Sequence, residues 1–182
     1  GIHQMYTSGE LFRNNTIRNE SVGIVLMTRP VGNLVVDNDV RGSHVGIATS
    51  GSDSYYAENV VVGNERGLDV SGTRSLYTHN TVVGNRIGLR GSTLLPTNHV
   101  TANDVVDNEQ VVESELGPLR VWTVEDEGNY WGPMPATDDD GDGYYERSFR
   151  PTGVVDARLH DSPGARTLAR SPAVGVLRGV QS

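Results

Sequence analysis

The fold is decided by two related stretches of sequence, Asn59-Val-Val-Val-Gly-Asn64 and, 21 residues later, Asn80-Thr-Val-Val-Gly-Asn85. The same pattern of two asparagines separated by four residues also begins at Asn14, Asn33 and Asn103. A glycine followed by an apolar residue recurs after steps of 22, 23, 21 and 21 residues, at Gly1, Gly23, Gly46, Gly67 and Gly88. The apolar runs are short and rich in Val and Ile, which favours strands over helices. The repeat predicts one coil of a parallel β-helix per copy.

Stacking of such coils follows from simple energetics. One coil of about 22 residues cannot bury its apolar side chains, whereas coils stacked about 4.8 Å apart share one core and one backbone hydrogen-bond ladder. We therefore predict an all-β, right-handed parallel β-helix in which the asparagines cap turns and stack on one another. The leucine-rich repeat is excluded because its spacing is absent, and helical repeats lack the required periodicity. The predicted core positions are Ile2, Ile24, Leu26, Ile47, Leu68, Val70 and Leu89.

The composition excludes several classes of protein. The chain has 182 residues, a formal net charge of −8 and no cysteine, so thiolate metal sites, disulfides and cysteine nucleophiles are excluded. The acidic charge argues against nucleic-acid binding, and no apolar run approaches the about 20 residues of a transmembrane helix. All 15 basic residues are Arg, which fits either a halophilic source or a GC-rich genome. The chain opens at Gly1 without a signal peptide, as expected of a fragment.

Three segments are predicted along the chain. Residues 1–127 form the coils, with Trp122 covering the open end of the core, and residues 128–156 form a Gly-, Asp- and aromatic-rich cap. Residues 157–182 form a tail with two short helices, because Ser162-Pro163 and Ser171-Pro172 are helix-start signals. The tail helices are amphipathic and locally basic, which is compatible either with docking of a partner or with a cap on the solenoid.

An acidic segment of the cap resembles the first half of an EF-hand calcium loop. Carboxylates at loop positions 1, 3 and 5 precede a glycine, and hard oxygen ligands of this kind suit calcium. The twelfth position is Phe149, so the usual bidentate glutamate is missing. We predict a structural calcium site, with a solvated acidic turn as the alternative. The predicted ligands are Asp138, Asp140, Asp142, the Tyr144 carbonyl and Glu146, the last through water.

A second candidate metal site comes from aligning the first two coils. Gly1-Ile2-His3-Gln4-Met5 and Gly23-Ile24-Val25-Leu26-Met27 are related by a constant offset of 22 residues. Since alternate strand residues face opposite ways, Gln4 and Leu26 point to the core, whereas His3, Met5 and Met27 point outward together. Two thioethers and an imidazole form a soft donor set that favours copper(I). The alternative is that the methionines fill gaps under loops. His44 is the remaining candidate for a fourth ligand.

Catalysis is not predicted. Asp69 and Arg90 point outward on successive coils, and an acid beside an arginine on this face could serve in a carbohydrate-processing β-helix. Such a pair is usually an ordinary surface ion pair. No histidine shares a motif with a candidate nucleophile, so a serine–histidine–aspartate site is not indicated.

Several motifs taken in order resemble the NosD family. They are His3-Gln4-Met5-Tyr6-Thr7, Gly23-Ile24-Val25-Leu26-Met27, the asparagine coils, Gly128-Asn129-Tyr130-Trp131-Gly132 with the following acidic loop, and Pro163-Gly164-Ala165-Arg166. Thr28 departs from the tyrosine expected after Met27. The chain is similar to the C-terminal half of the family. The resemblance implies a periplasmic or cell-surface accessory protein, not an enzyme, of nitrous-oxide reductase maturation.

The same resemblance implies partners. NosD proteins act with an ABC-type transporter, made of a membrane permease and a cytoplasmic ATPase, in assembling the copper–sulfur centre of the reductase. The expected partners are therefore the permease and either nitrous-oxide reductase or a copper chaperone, with copper as transient cargo. The alternative interpretation is a surface carbohydrate-binding or carbohydrate-processing β-helix, because asparagine and glycine coils are typical of both.

Overall fold

The computed structural model describes residues 1–91, 97–114 and 128–132, together with Pro172, Ala173 and Val176. The strands are β1 Ile2–Met5, β2 Leu11–Arg13, β3 Thr16–Arg18, β4 Val22–Met27, β5 Leu34–Val36, β6 Asp39–Arg41, β7 Val45–Ala48, β8 Tyr55–Ala57, β9 Val60–Val62, β10 Arg66–Asp69, β11 Leu76–Thr78, β12 Thr81–Val83, β13 Ile87–Gly91, β14 His99–Thr101, β15 Asp104–Val106 and β16 Gln110–Ser114. Pro172, Ala173 and Val176 are helical.

Every third strand joins the same sheet, so the chain winds as a solenoid. Sheet A has the order β1-β4-β7-β10-β13-β16, sheet B runs from β2 to β14, and sheet C runs from β3 to β15. All pairings between these strands are parallel. Each coil contributes one strand to each sheet, and the predicted parallel β-helix is confirmed, with about five coils.

The recurrent glycine of the sequence repeat is explained by the distance between coils. A Cβ atom on Gly46 would lie 2.5 Å from the Gly67 carbonyl oxygen, and one on Gly67 would lie 2.6 Å from that of Gly88. Any larger residue would force the next coil away. The recurrent glycine therefore lies where a side chain would collide with the backbone carbonyl of the next coil.

The predicted core is confirmed, with one position at its margin. The six predicted residues from Ile24 to Leu89 are each no more than 2% exposed, and Ile2 is partly buried against the same core. Two tyrosines that the repeat did not indicate also lie in the core. Tyr56 and Tyr77 are both 0% exposed, and their rings stack with centroids 4.6 Å apart and an interplanar angle of 6°.

Asparagine ladders close the turn between sheets B and C. At most positions the backbone N–H and the side-chain Nδ2 of one asparagine both donate to the Oδ1 of the asparagine one coil further on. The predicted structural role of the asparagines is confirmed. The members of this ladder are Asn15, Asn38, Asn59, Asn80, Asn103 and Asn129.

The Asn-Tyr-Trp motif packs on the last coil. Asn129 occupies the sixth ladder position and also donates from Nδ2 to the Val100 carbonyl at 2.7 Å. Tyr130 forms a parallel bridge with Asp104, and Trp131 is 8% exposed in the core cluster. Trp131 therefore covers core at this end, the role that the sequence assigned to Trp122.

Several predictions fall outside the described residues. Trp122, the calcium ligands from Asp138 to Glu146, and all of the tail except its three helical residues lie there. The division of the chain at residues 127 and 156 stays a prediction.

Candidate metal site

The two strands at the first end of sheet A place the predicted copper ligands on one outer face. β1 and β4 pair in the register Ile2↔Ile24, His3↔Val25, Gln4↔Leu26 and Met5↔Met27. Gln4 and Leu26 are 5% and 0% exposed, whereas Met5 and Met27 are 43% and 42% exposed. His3 is also exposed. The alternation of the strand therefore separates an inner row from an outer row that carries the three donors.

Two of the three donors are in direct contact, and the third lies on the neighbouring strand. The distance from His3 Nε2 to Met27 Sδ is 3.1 Å. Met5 and Met27 are register partners on adjacent strands, whose backbones are about 4.8 Å apart. His3 and Met5 belong to one strand and face the same way, two residues apart. An imidazole nitrogen and two thioether sulfurs are donors of the kind that suits a soft monovalent ion such as copper(I).

Left-handed backbone conformations end both strands directly after the methionines. Tyr6 has φ of 60°, and Thr28 and Arg29 have φ of 70° and 55°. For threonine, which is branched at Cβ, this conformation is rare and costs of the order of 1–3 kcal/mol. The sharp turns fix Met5 and Met27 as the last residues of their strands. Both side chains therefore stand at the margin of sheet A, where the chain turns towards sheet B.

The third coil adds no further soft donor. Val25 pairs with Ala48, the last residue of β7, and the same offset of 23 residues would put Ser50 level with Met27. The Ser50 hydroxyl donates to the Leu26 carbonyl at 2.8 Å. Within the described residues, no group of three or more His, Cys, Asp or Glu side chains could hold a metal ion. Both methionines of the described residues already belong to this face, so that part of the chain offers the predicted set no further thioether.

His44, the candidate for a fourth ligand, lies at the other end of the sheet. Its backbone N–H donates to the Glu20 carbonyl, so it is level with the start of β4, about 20 Å along the strand from Met27. Its Nδ1 contacts the carboxylate of Glu65, which also contacts Arg86. His44 therefore does not join the methionines, and the turn does not fold back towards them.

Exposed apolar side chains are concentrated in the two coils that carry the donor set. Among the described residues, eight large hydrophobic side chains are strongly exposed, and six of them lie in the first two coils where sheet A turns into sheet B. We call these six the apolar corner. Scattered exposed apolar residues are ordinary, but a contiguous patch marks an interaction surface. The members are Met5, Tyr6, Leu11, Met27, Val31 and Leu34, with Tyr6 at 78% the most exposed.

The predicted pair of Asp69 and Arg90 forms on the same face, two coils away from the methionines. The two residues are register partners, and Arg90 Nη1 lies 3.9 Å from Asp69 Oδ2. Arg90 also lies between Asp69 and Glu113, with Nε 3.8 Å from Glu113 Oε2. Glu113 was not predicted to join this pair, although its offset of 23 residues from Arg90 could have indicated that the two are neighbours on adjacent coils.

Asp69 is the most perturbed carboxyl group of this face. Burial raises the pKa of Asp69, against the opposing effects of the hydrogen bond from the Ser71 hydroxyl and the charge of Arg90. Its side chain is 16% exposed, compared with 39% for Glu113. The Ser71 hydroxyl and the Arg90 guanidinium hold the Asp69 carboxyl group in place. Asp69 lies two coils away from Met27, so it is not part of the set of soft donors.

Comparisons with known proteins point to one family. Residues 1–134 match the family described as "NosD: Periplasmic copper-binding protein (NosD)". Two curated relatives, each called "Probable ABC transporter binding protein NosD", are similar over 84 residues, or 46% of this chain. The protein from Stutzerimonas stutzeri is 34% identical and covered over 19% of its length, and that from Pseudomonas aeruginosa is 31% identical and covered over 20%. The chain thus spans about a fifth of these relatives. No helix in the described part of the chain is long and apolar enough to cross a membrane.

Proposed function

This chain belongs to the NosD family, whose description is periplasmic copper-binding protein, and from that premise we propose that it carries copper(I) on His3, Met5 and Met27. The protein acts as an accessory and not as an enzyme. Copper is its cargo, held on the outer face of the first two coils and passed on to a partner. The contact of 3.1 Å between His3 Nε2 and Met27 Sδ is the observation that carries the proposal.

The chemistry of the donors supports copper(I) over other ions. Thioethers bind soft ions and are poor ligands for calcium or magnesium, which take oxygen. Three exposed donors form a site that is open on one side, because neither Ala48 nor Ser50 of the third coil carries a soft donor. An open site of this kind exchanges its ion readily with an incoming ligand. It is better suited to handover than to storage.

The apolar corner supports handover to another protein. The curated relatives are named for binding to an ABC transporter, and for this chain we propose the membrane permease of such a transporter as a partner. Nitrous-oxide reductase or a copper chaperone is the proposed acceptor or donor of copper, in the periplasm or at the cell surface. Maturation of a copper–sulfur centre is the process that would use this chemistry.

A competition titration tests the copper site. The protein and a chromophoric copper(I) chelator are equilibrated without oxygen, and one bound copper per chain is expected. Met27→Leu and His3→Leu should each weaken copper(I) binding by more than about tenfold, a loss of about 1.4 kcal/mol. His99→Leu is the matched control, because His99 is an exposed histidine on sheet B of the fifth coil. If the variant lacking all three donors binds copper(I) as tightly as the parent, the site is wrong.

Co-purification tests the partner. Leu11→Asp with Leu34→Asp places two charges in the apolar corner at positions where both side chains are solvent-exposed, so the fold should be kept. Loss of co-purification with the permease would support docking at this corner. Deleting residues 164–182 tests the tail separately. Loss of co-purification without a change in the thermal midpoint would assign docking to the tail, and a collapse in stability would make the tail a cap.

A structural calcium ion in the loop from Asp138 to Glu146 completes the proposal. Closely spaced carboxylates repel one another unless a cation neutralises them. The thermal midpoint should therefore be higher in millimolar calcium than in chelator, and the difference should vanish in Asp140→Asn. An equal midpoint in calcium and in chelator would remove the calcium site.

A further inference from the structure

The two surface methionines differ in a way that their exposure does not show. Met5 and Met27 are 43% and 42% exposed, so overall exposure does not distinguish the two residues. The Met27 sulfur has a polar partner, His3 Nε2 at 3.1 Å. Among the residues that the structure describes, none makes a polar contact with the Met5 sulfur. On two neighbouring strands, the Met27 thioether is therefore in contact with an imidazole, whereas the Met5 thioether has no such contact from the described residues.

The contact lowers the reactivity of Met27. Oxidation of a thioether requires a sulfur lone pair to attack the peroxide oxygen. A thioether can only accept a hydrogen bond, so the contact requires that His3 Nε2 carries the proton and donates it to Met27 Sδ. The shared lone pair is less nucleophilic, and the imidazole ring covers one side of the sulfur. Neither effect acts on Met5.

We infer that Met5 is the site of reversible oxidation on this face and that His3 protects Met27. In the reaction the Met5 sulfur forms a bond to one oxygen of hydrogen peroxide while the O–O bond breaks. The sulfur loses two electrons, the peroxide is reduced, and one water molecule leaves. The product is methionine sulfoxide, which a sulfoxide reductase can return to the thioether.

A consequence for the metal rests on the function proposed above. The sulfoxide replaces a soft sulfur donor with a hard oxygen, which is a poor ligand for copper(I). Oxidation of Met5 therefore lowers the number of soft donors from three to two. To bind the ion through Nε2, His3 must carry its proton on Nδ1, so a bound ion replaces the hydrogen bond to Met27. The ion also occupies a lone pair on each sulfur and so protects both methionines. The metal-free protein is the form that peroxide inactivates.

Peptide mass spectrometry after timed exposure to hydrogen peroxide tests the inference in the metal-free protein. Met5 should oxidise about two- to tenfold faster than Met27, as expected from the loss of one hydrogen bond. In His3→Ala the two rates should become equal through faster oxidation of Met27, whereas His99→Ala should leave the difference unchanged. Equal rates in the parent protein, or faster oxidation of Met27, would overturn the inference.

Silver(I), a redox-inert soft ion, separates this inference from the proposed function. If silver slows oxidation of both methionines, the shared metal site is supported as well. If the rates differ as expected but silver protects neither methionine, the reactive Met5 stands and the metal site fails. If Met5 sulfoxide binds copper(I) as tightly as the unmodified protein, oxidation does not control the site and that part of the inference is wrong.

Discussion

Asn80 lies in the middle of the asparagine ladder and should be the most sensitive polar position of the solenoid. Its side chain is 0% exposed. Nδ2 donates to the Tyr56 carbonyl at 2.9 Å, the Thr78 carbonyl at 3.1 Å and Asn103 Oδ1 at 2.9 Å. Oδ1 accepts from the backbone N–H of Asn59 at 3.1 Å and from its Nδ2 at 2.9 Å. One amide therefore satisfies groups on three coils.

The expected loss in Asn80→Ala follows from the partners left behind. The Asn59 backbone N–H and the Tyr56 carbonyl lose the side chain that contacts them in a place that water does not reach. Each buried polar group left without a partner costs about 1–3 kcal/mol, so the free energy of unfolding should fall by about 2–6 kcal/mol. That is a large share of the total for a domain, which is about 5–15 kcal/mol.

Urea unfolding followed by circular dichroism measures the loss, provided that the m-value stays constant. Asn15→Ala is the matched control, because Asn15 starts the ladder, is only half-buried and donates to the Arg13 carbonyl and Asn38 Oδ1. Water replaces these bonds, and a loss below about 1 kcal/mol is expected. Asn80→Asp keeps the shape and removes the donors. The reasoning is refuted if Asn80→Asp is as stable as the parent protein, or if Asn80→Ala lowers the free energy of unfolding no more than Asn15→Ala does. Either result would show that the hydrogen bonds of the ladder do not stabilise the fold.

Two other predictions concern charge, the first in the core of sheet A and the second at Asp69 and Asp53. Leu68→Asp should lower the free energy of unfolding by several kcal/mol, because Leu68 is 1% exposed and a charge there has no partner; a normal thermal midpoint would show that the register is wrong. Burial raises the pKa of Asp69 above the usual 3.8, so the folded protein holds this proton more tightly and its stability falls as pH rises through the folded pKa. Asp69→Asn should therefore raise the thermal midpoint at pH 7 but leave it unchanged below about pH 4. Asp53→Asn should do the opposite at pH 7, because the hydrogen bond from Arg74 lowers the pKa of Asp53 and that stabilisation is lost on acidification; midpoints of the two variants that move in the same direction would contradict the assignment.

The coils could be predicted because one offset fixes many contacts at once. Once Ile2 pairs with Ile24, strand alternation determines that Gln4 and Leu26 face the core and that His3 and Met5 face outward. The asparagine ladder was equally visible, since stacking of identical side chains requires only the period. These features depend on backbone register, which the sequence repeats, and hardly at all on side-chain torsions.

Features that depend on an irregular spacing or on torsions could not be read in this way. Asn129 follows Asn103 by 26 residues, compared with 21 and 23 earlier in the ladder, so its place in the sixth coil was hidden. Register alone makes Met5 and Met27 neighbours, yet the close contact is the diagonal one between His3 and Met27. That contact is set by side-chain rotation, which no repeat encodes.

In the proposed site the backbone is fixed by the fold, whereas the donor side chains are not, and this difference affects how tightly the site would bind an ion. Sheet pairing and the left-handed turns at Tyr6 and Thr28 fix the backbone under the three donors. The donor side chains themselves are exposed, and only one contact between them orders any of them. A ligand must therefore immobilise the methionine side chains when it binds, at a cost of about 0.5–1.5 kcal/mol for each. This cost weakens binding without changing which ions are chosen, because softness is set by the atoms. The proposed site would thus select copper(I) and still release it, and the affinity of the partner would determine the direction of transfer.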